Sequence, residues 1–238
     1  MRLLKKCILL KVMSYLLLSL LSFELLAMEH IKCATTHYPP YTIFNPDTDS
    51  FSGLDMEIMN KLSNKLGIKI SVVNLPWVRL KEEIKKGNFD CYFSLGKFQH
   101  RERHLDYTTT PMHITKVAIF TRHNKAINQI NFSNMEIGVH RGINLHKEVQ
   151  LPLSMKSATF RKIHSNEALF QMLLKNRLEA VITSYEVGKY LLDTSSAKNK
   201  YSAVVIDGYE LPVYLAFTKG KFRVEKFNSA LSSISKTP

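Results

Sequence analysis

Helix and strand alternate from Gly53 to Thr108, and this alternation restricts the chain more than any other feature in it. After Ser52-Gly53, the residues Leu54, Ile58, Leu62 and Leu66 recur at i+4 spacing, which predicts a helix with these four on its inner face and its end at Gly67. Ile68, Ile70 and Val72 then alternate as a strand. Pro76-Trp77 opens a second short helix with Leu80 and Ile84 inward, and Gly87-Asn88 closes it. Cys91-Tyr92-Phe93 is the apolar run expected of a strand buried on both faces. Strands separated by single helices pair in parallel through crossover connections, so the expected class is α/β. Ligands of open sheets collect beyond the carboxyl ends of the strands. The loop from Ser94 to Arg101 leaves one such end, which makes it the first place to look for a binding residue.

The first residues stand outside this pattern. Arg2, Lys5, Lys6 and Lys11 precede the uncharged apolar stretch from Val12 to Phe23, and Leu25-Leu26-Ala27 ends in a small residue. The stretch is 12 residues long, short of the about 20 that a membrane-spanning helix needs. Residues 1–27 therefore read as a secretory signal cleaved after Ala27. Without them, 29 Lys/Arg and 19 Asp/Glu remain, a net charge of +10. Export and the scatter of the lysines argue against a nucleic-acid partner. Cys33 and Cys91 remain, both on expected strands. An oxidising compartment permits a disulfide, but cysteines on neighbouring central strands are more often small buried packing residues, and these two are read so.

A weak internal echo divides the chain. Lys86-Gly87-Asn88-Phe89-Asp90-Cys91-Tyr92-Phe93 is matched by Lys175-Asn176-Arg177-Leu178-Glu179-Ala180-Val181-Ile182. Each is a helix end, a residue tolerant of left-handed backbone, an acidic residue and a buried strand. The acidic residues lie 89 positions apart, too far for a solenoid repeat but suited to two similar lobes. The expected organisation is lobe 1 over 28–120, lobe 2 over 121–205 and a return to lobe 1 over 206–238. A small-molecule site is then expected in the cleft between the lobes.

With these segments in place, the chain resembles the bacterial extracellular solute-binding proteins of family 3, the group that holds periplasmic amino-acid receptors of ABC transporters. The likeness rests on Tyr38-Pro39-Pro40-Tyr41, Gly53-Leu54-Asp55-Met56-Glu57, Pro76-Trp77, Gly87-Asn88-Phe89-Asp90, Arg101 with Asp106-Tyr107-Thr108 after it, and Gly138-Val139-His140-Arg141-Gly142. It implies a type II periplasmic-binding-protein fold, a two-lobed Venus flytrap in which each lobe is a mainly parallel sheet flanked by helices. It also implies a periplasmic, monomeric, non-catalytic protein without cofactor or metal, serving an ABC permease or a membrane sensor. Arg101 matches the arginine that clamps a ligand carboxylate, a task suited to the two parallel N–H donors of a guanidinium. Arg103 is read as a solvated surface charge. Tyr38 and Trp77 match aromatic walls of the ligand site, Tyr41 is read as core, and Ser94 matches a strand-end position that meets the ligand.

The chain also departs from the family pattern. Phe98 stands where a small hydroxyl residue precedes the arginine, and Gly142-Ile143-Asn144 replaces Gly-Thr-Thr, placing Asn144 where a hydroxyl meets the carboxylate. Ser184 stands where an aspartate pairs with the ligand ammonium, and Glu186 is expected to point elsewhere. The expected solute is a small polar carboxylate, either an amino acid or a related compound lacking the amino group. A dehydratase of the same fold is the enzymatic alternative, for which no cleft carboxylate is evident. His100 and His104 share helical spacing, but two arginines between and beside them oppose a cation. Phe227, Leu231 and Ile234 begin a final helix that stops short of the family's usual end.

Overall fold

The computed structural model describes residues 28–122, 129–141, 143, 155, 157–195 and 200–234. The chain opens with β1 (His30–Thr35), a hairpin of β2 (Ile43–Asn45) and β3 (Ser50–Ser52), α1 (Leu54–Leu66), β4 (Lys69–Asn74), α2 (Trp77–Lys86) and β5 (Cys91–Gly96). It continues with α3 (Gln99–Glu102), β6 (Leu105–Tyr107), β7 (His113–Thr121), β8 (Glu136–His140), β9 (Thr159–Ile163) and α4 (Asn166–Leu174). β10 (Ala180–Ser184), α5 (Tyr185–Asp193), β11 (Ser202–Thr218) and α6 (Glu225–Ile234) complete it. Residues 1–27, expected to be a signal, lie outside the described residues, as does the end of the chain after Ile234.

One sheet runs in the order β4-β1-β5-β11-β7-β10-β8-β9, with β6 also paired to β11. Its two ends are near mirror images. β1 lies parallel to both β4 and β5, and β8 lies parallel to both β9 and β10. Between them β7 and β11 run antiparallel to one another. β11 is a single 17-residue strand whose register against β7 shifts between Val205 and Glu210.

The core follows the same division. Ile31, Cys33, Met59, Phe93, Phe217 and Phe227 pack on one face of the first end of the sheet, and Ala34, Leu80, Tyr92 and Leu95 on the other. At the second end, Ile119, Phe132, Ile137 and Ile182 form one cluster, and Phe120, Phe170, Leu173 and Val181 form another. Strand residues alternate between the clusters because successive side chains leave opposite faces of a strand. Gly67 and Gly87 end α1 and α2 in left-handed conformation, at φ 62° and 66°, a turn that costs a residue without Cβ least.

Two expectations need correction. Of the four residues expected on the inner face of α1, Leu62 is buried and Ile58 and Leu66 pack against the same core, but Leu54 is 50% exposed. Asp55, Met56 and Met59 are buried as well, the Asp55 carboxylate as an acceptor for Ser94 and a partner of His113. Cys33 and Cys91 are not separate packing residues: they are register partners on β1 and β5, joined as a disulfide with Cα atoms 4.4 Å apart. Sequence puts them on neighbouring strands, but only the register brings them within bonding reach.

Candidate functional site

A cleft opens beyond the carboxyl ends of β1, β5, β8 and β10, where both ends of the sheet direct their loops. Its empty space is about 980 Å³, a figure that includes the open solvent at the mouth. Tyr38, Trp77, Ser94 and Arg101 line it from the first end of the chain, and Val139, His140, Thr183 and Ser184 from the second. Five of the six residues singled out from sequence thus share one cleft; Asn144 lies outside the described residues.

Arg101 sits on α3, the short helix that follows β5, and is only 4% exposed. Its Nη1 donates to the Gly96 carbonyl at 2.9 Å. Its guanidinium is held between the Trp77 and Phe98 rings, 4.9 Å from each centroid. Phe98, where the family carries a small hydroxyl residue, therefore fixes the plane of the arginine instead of offering a hydroxyl. Such stacking favours a guanidinium over an ammonium, since a flat cation presents its face to the rings and its N–H edge elsewhere. Arg103 is exposed. Trp77 begins α2, and its Nε1 is buried with no hydrogen-bond partner among the described residues.

Ser94 is in left-handed conformation at φ 58°, and its Oγ donates to Asp55 Oδ2. The same carboxylate takes His113 Nδ1 at 2.8 Å, and the His113 ring stacks on Tyr41 at 3.6 Å between centroids. Tyr41 is 4% exposed and belongs to the packing behind the cleft. Tyr38 lies half-buried between Tyr41 and the second wall, where its phenol meets Ser184 and Thr115. Burial foremost, with the Glu186 and Asp55 charges behind it, pushes that phenol up to about 12, so it stays protonated at neutral pH.

The second wall sets hydroxyls and an amide among apolar side chains such as Val139 and Ile182. Thr183 Oγ1 donates to Asn166 Oδ1 at 2.9 Å, and both residues line the cleft. Burial lowers His140, which keeps its ring neutral at pH 7 beside the Arg141 carbonyl at 2.9 Å. Ser184 caps α5, and Glu186 does not point away: its Oε2 accepts from Thr115 Oγ1 at 2.6 Å and from Ser184 Oγ at 3.1 Å. The missed signal is the pairing of β10 with β7, which puts Ser184 opposite Val117, two residues beyond Thr115. His37 Nε2 and Glu167 Oε1, 3.3 Å apart, join the two walls. Among the described residues no three His, Cys, Asp or Glu side chains gather as metal ligands.

This geometry agrees with what the chain is similar to. The model for "Bacterial extracellular solute-binding proteins, family 3" matches residues 31–238. No curated protein sequence matches. Among solved structures, an ancestral arginine-binding protein bound to glutamine superposes with a TM-score of 0.74 at 20% identity, over 87% of this chain and 92% of that one. A Salmonella typhimurium periplasmic binding protein with high arginine specificity gives 0.74 at 18% identity, over 88% and 95%. An ancestral amino acid-binding protein, precursor of cyclohexadienyl dehydratase, gives 0.72 at 18% identity, over 87% and 90%. At these identities the likeness is one of fold.

Proposed function

Because the chain belongs to family 3 of the bacterial extracellular solute-binding proteins, we propose that it is a periplasmic receptor that captures an amino acid by closing two lobes over it and hands it to an ABC importer. The lobes are residues 28–120 with 206–238, and residues 121–205; β7 and β11 carry the chain between them and supply the hinge. The observation that carries this reading is the Arg101 guanidinium, buried at the cleft wall and fixed in plane by Trp77 and Phe98. A guanidinium so held is preorganised for a bidentate carboxylate, and the dry surroundings strengthen the charge-assisted bonds.

Tyr38, Trp77 and Ser94 complete the first wall, and Ser184 belongs to the second. A solute touching both walls binds the closed form better than the open one, and this difference in affinity drives closure. The His37–Glu167 pair gives closure a direct contact between the walls. Amino acids are the ligands named for the similar structures. The protein acts as a monomer and binds without catalysis.

Titration calorimetry of the purified protein against the L-amino acids tests this. Arg101→Ala is expected to cost about 2–5 kcal/mol of binding, the range for removing one partner of a desolvated charge pair. Unchanged affinity in a variant that still unfolds cooperatively would sink the assignment.

A further inference from the structure

On the second side of the cleft two hydroxyls share one carboxylate, Glu186, across from the Arg101 guanidinium. Thr115 and Ser184 are buried, at 1% and 7% exposure, and both line the cleft. Each hydroxyl carries a single hydrogen, and each is within reach of the same atom, Glu186 Oε2. A carboxylate only accepts, so at least one of those hydrogens lies on Glu186; the other lies on Glu186 or on the neighbouring hydroxyl, and oxygen lone pairs remain for other partners. Tyr38 joins these hydroxyls through its phenol and feels the Glu186 charge.

The opposite wall carries the cation; its Ser94 hydroxyl also gives its hydrogen to a carboxylate, Asp55, but that carboxylate is engaged by His113 as well. Arg101 has donors and no acceptor, and Trp77 adds a buried Nε1–H without a partner among the described residues. A solute that satisfies both walls brings an acceptor anion to Arg101 and a donor, ideally a cation, to Ser184. Uncharged donors would leave the Glu186 charge unanswered, whereas an ammonium answers it through the hydroxyl shell.

We infer that Glu186, acting through Thr115 and Ser184, is a specificity-determining residue that selects solutes carrying an ammonium group beside their carboxylate. It does the work for which an aspartate at position 184 would serve, from two residues further along and one layer deeper. The inference rests on the amino-acid reading of the cleft. Glu186 is a positioning residue: it orients the hydroxyls and supplies their field, and Ser184 makes the contact.

The experiment compares matched probes on wild type, Glu186→Gln and Glu186→Ala. Each L-amino acid that the wild type binds in the calorimetric panel is paired with its analogue lacking the α-amino group. For L-glutamine the analogue is 4-carbamoylbutanoate, and for L-arginine it is 5-guanidinopentanoate. Glu186→Gln is expected to weaken the amino acid at least about tenfold while leaving the deamino analogue within about twofold. Glu186→Ala, which also frees the hydroxyl hydrogens, is expected to shift the ratio further the same way. A merely structural role would weaken both probes alike, so an unchanged ratio overturns the inference and leaves the receptor reading standing. A wild type that prefers the deamino analogue overturns the inference also, while keeping Arg101 as the carboxylate clamp. A wild type that binds no amino acid overturns the receptor reading, and the inference with it.

Discussion

Asp90 and Glu179 occupy the same point in the two ends of the sheet and make the same bonds. Asp90 accepts from the Lys32 backbone N–H at 2.8 Å and donates its own N–H to the Lys32 carbonyl at 2.9 Å. Glu179 accepts from the Glu136 N–H at 2.7 Å and donates to the Glu136 carbonyl at 3.2 Å. Each fastens the start of a buried strand to its central parallel neighbour, and each follows a left-handed residue three positions earlier, Gly87 or Asn176. Four residues further on the halves part company. After Ser94 the chain leaves through a loop that puts the cation Arg101 on the cleft. After Thr183 it enters α5 almost at once, which puts the anion Glu186 behind the cleft. One scaffold used twice therefore gives walls of opposite charge, and the exit from the strand decides which.

The largest test of this comparison concerns the feature only one half has. The Cys33–Cys91 bridge spans 58 residues, for which chain entropy predicts about 4 kcal/mol of stabilisation. Urea unfolding of the Cys33→Ser/Cys91→Ser protein should show that loss; an unchanged midpoint would mean the first half does not depend on its staple. Next comes the packing of the second half on α5. A Cβ at Gly188 would lie 2.2 Å from the Phe120 ring, so Gly188→Ala should cost about 1–3 kcal/mol by overpacking. Thermal unfolding reads this, and a neutral result would place α5 further from β7.

The matched carboxylates sharpen the comparison most directly. Asp90→Ala should lose about 1.5–3 kcal/mol, the range for a hydrogen bond to a charged group. Glu179 is exposed and should lose less than about 1 kcal/mol on the same change, since water replaces the bond. Equal losses would show that exposure does not separate the two halves. The smallest effect is on pH. Burial raises the Glu167 carboxyl, but the His37 ring and its hydrogen bonds outweigh burial and hold it below its ordinary value of 4.5. A lowered carboxyl contributes stability that is complete above its ordinary value and is lost as pH falls through the lowered one. Wild type should thus exceed Glu167→Gln in thermal stability at neutral pH by under about 1 kcal/mol and approach it as pH falls progressively below 4.5. A constant gap across that window would remove the titration of Glu167 as its cause.

Much of this was legible in the sequence because it is local. Helix ends at Gly67 and Gly87, the buried run at Cys91, the Asp90–Glu179 echo and the loop bearing Arg101 all depend on residues near in sequence. Leu54 alone of the α1 stripe was misplaced, because i+4 spacing does not say where along a helix a buried polar partner takes over the inner face. Here Asp55 meets His113, 58 positions away. Glu186 was misjudged for the same reason, since Thr115 lies 71 positions from it.

By itself the sequence determined the α/β alternation, the two similar halves and the family, since periodicity and turn residues act over a few positions. Tertiary structure alone decided the register that bonds Cys33 to Cys91, the sandwich that orients Arg101, and the hydroxyl shell through which Glu186 faces the cleft. Each of these is set by the distance between side chains on strands brought together by folding, and no local pattern encodes that distance.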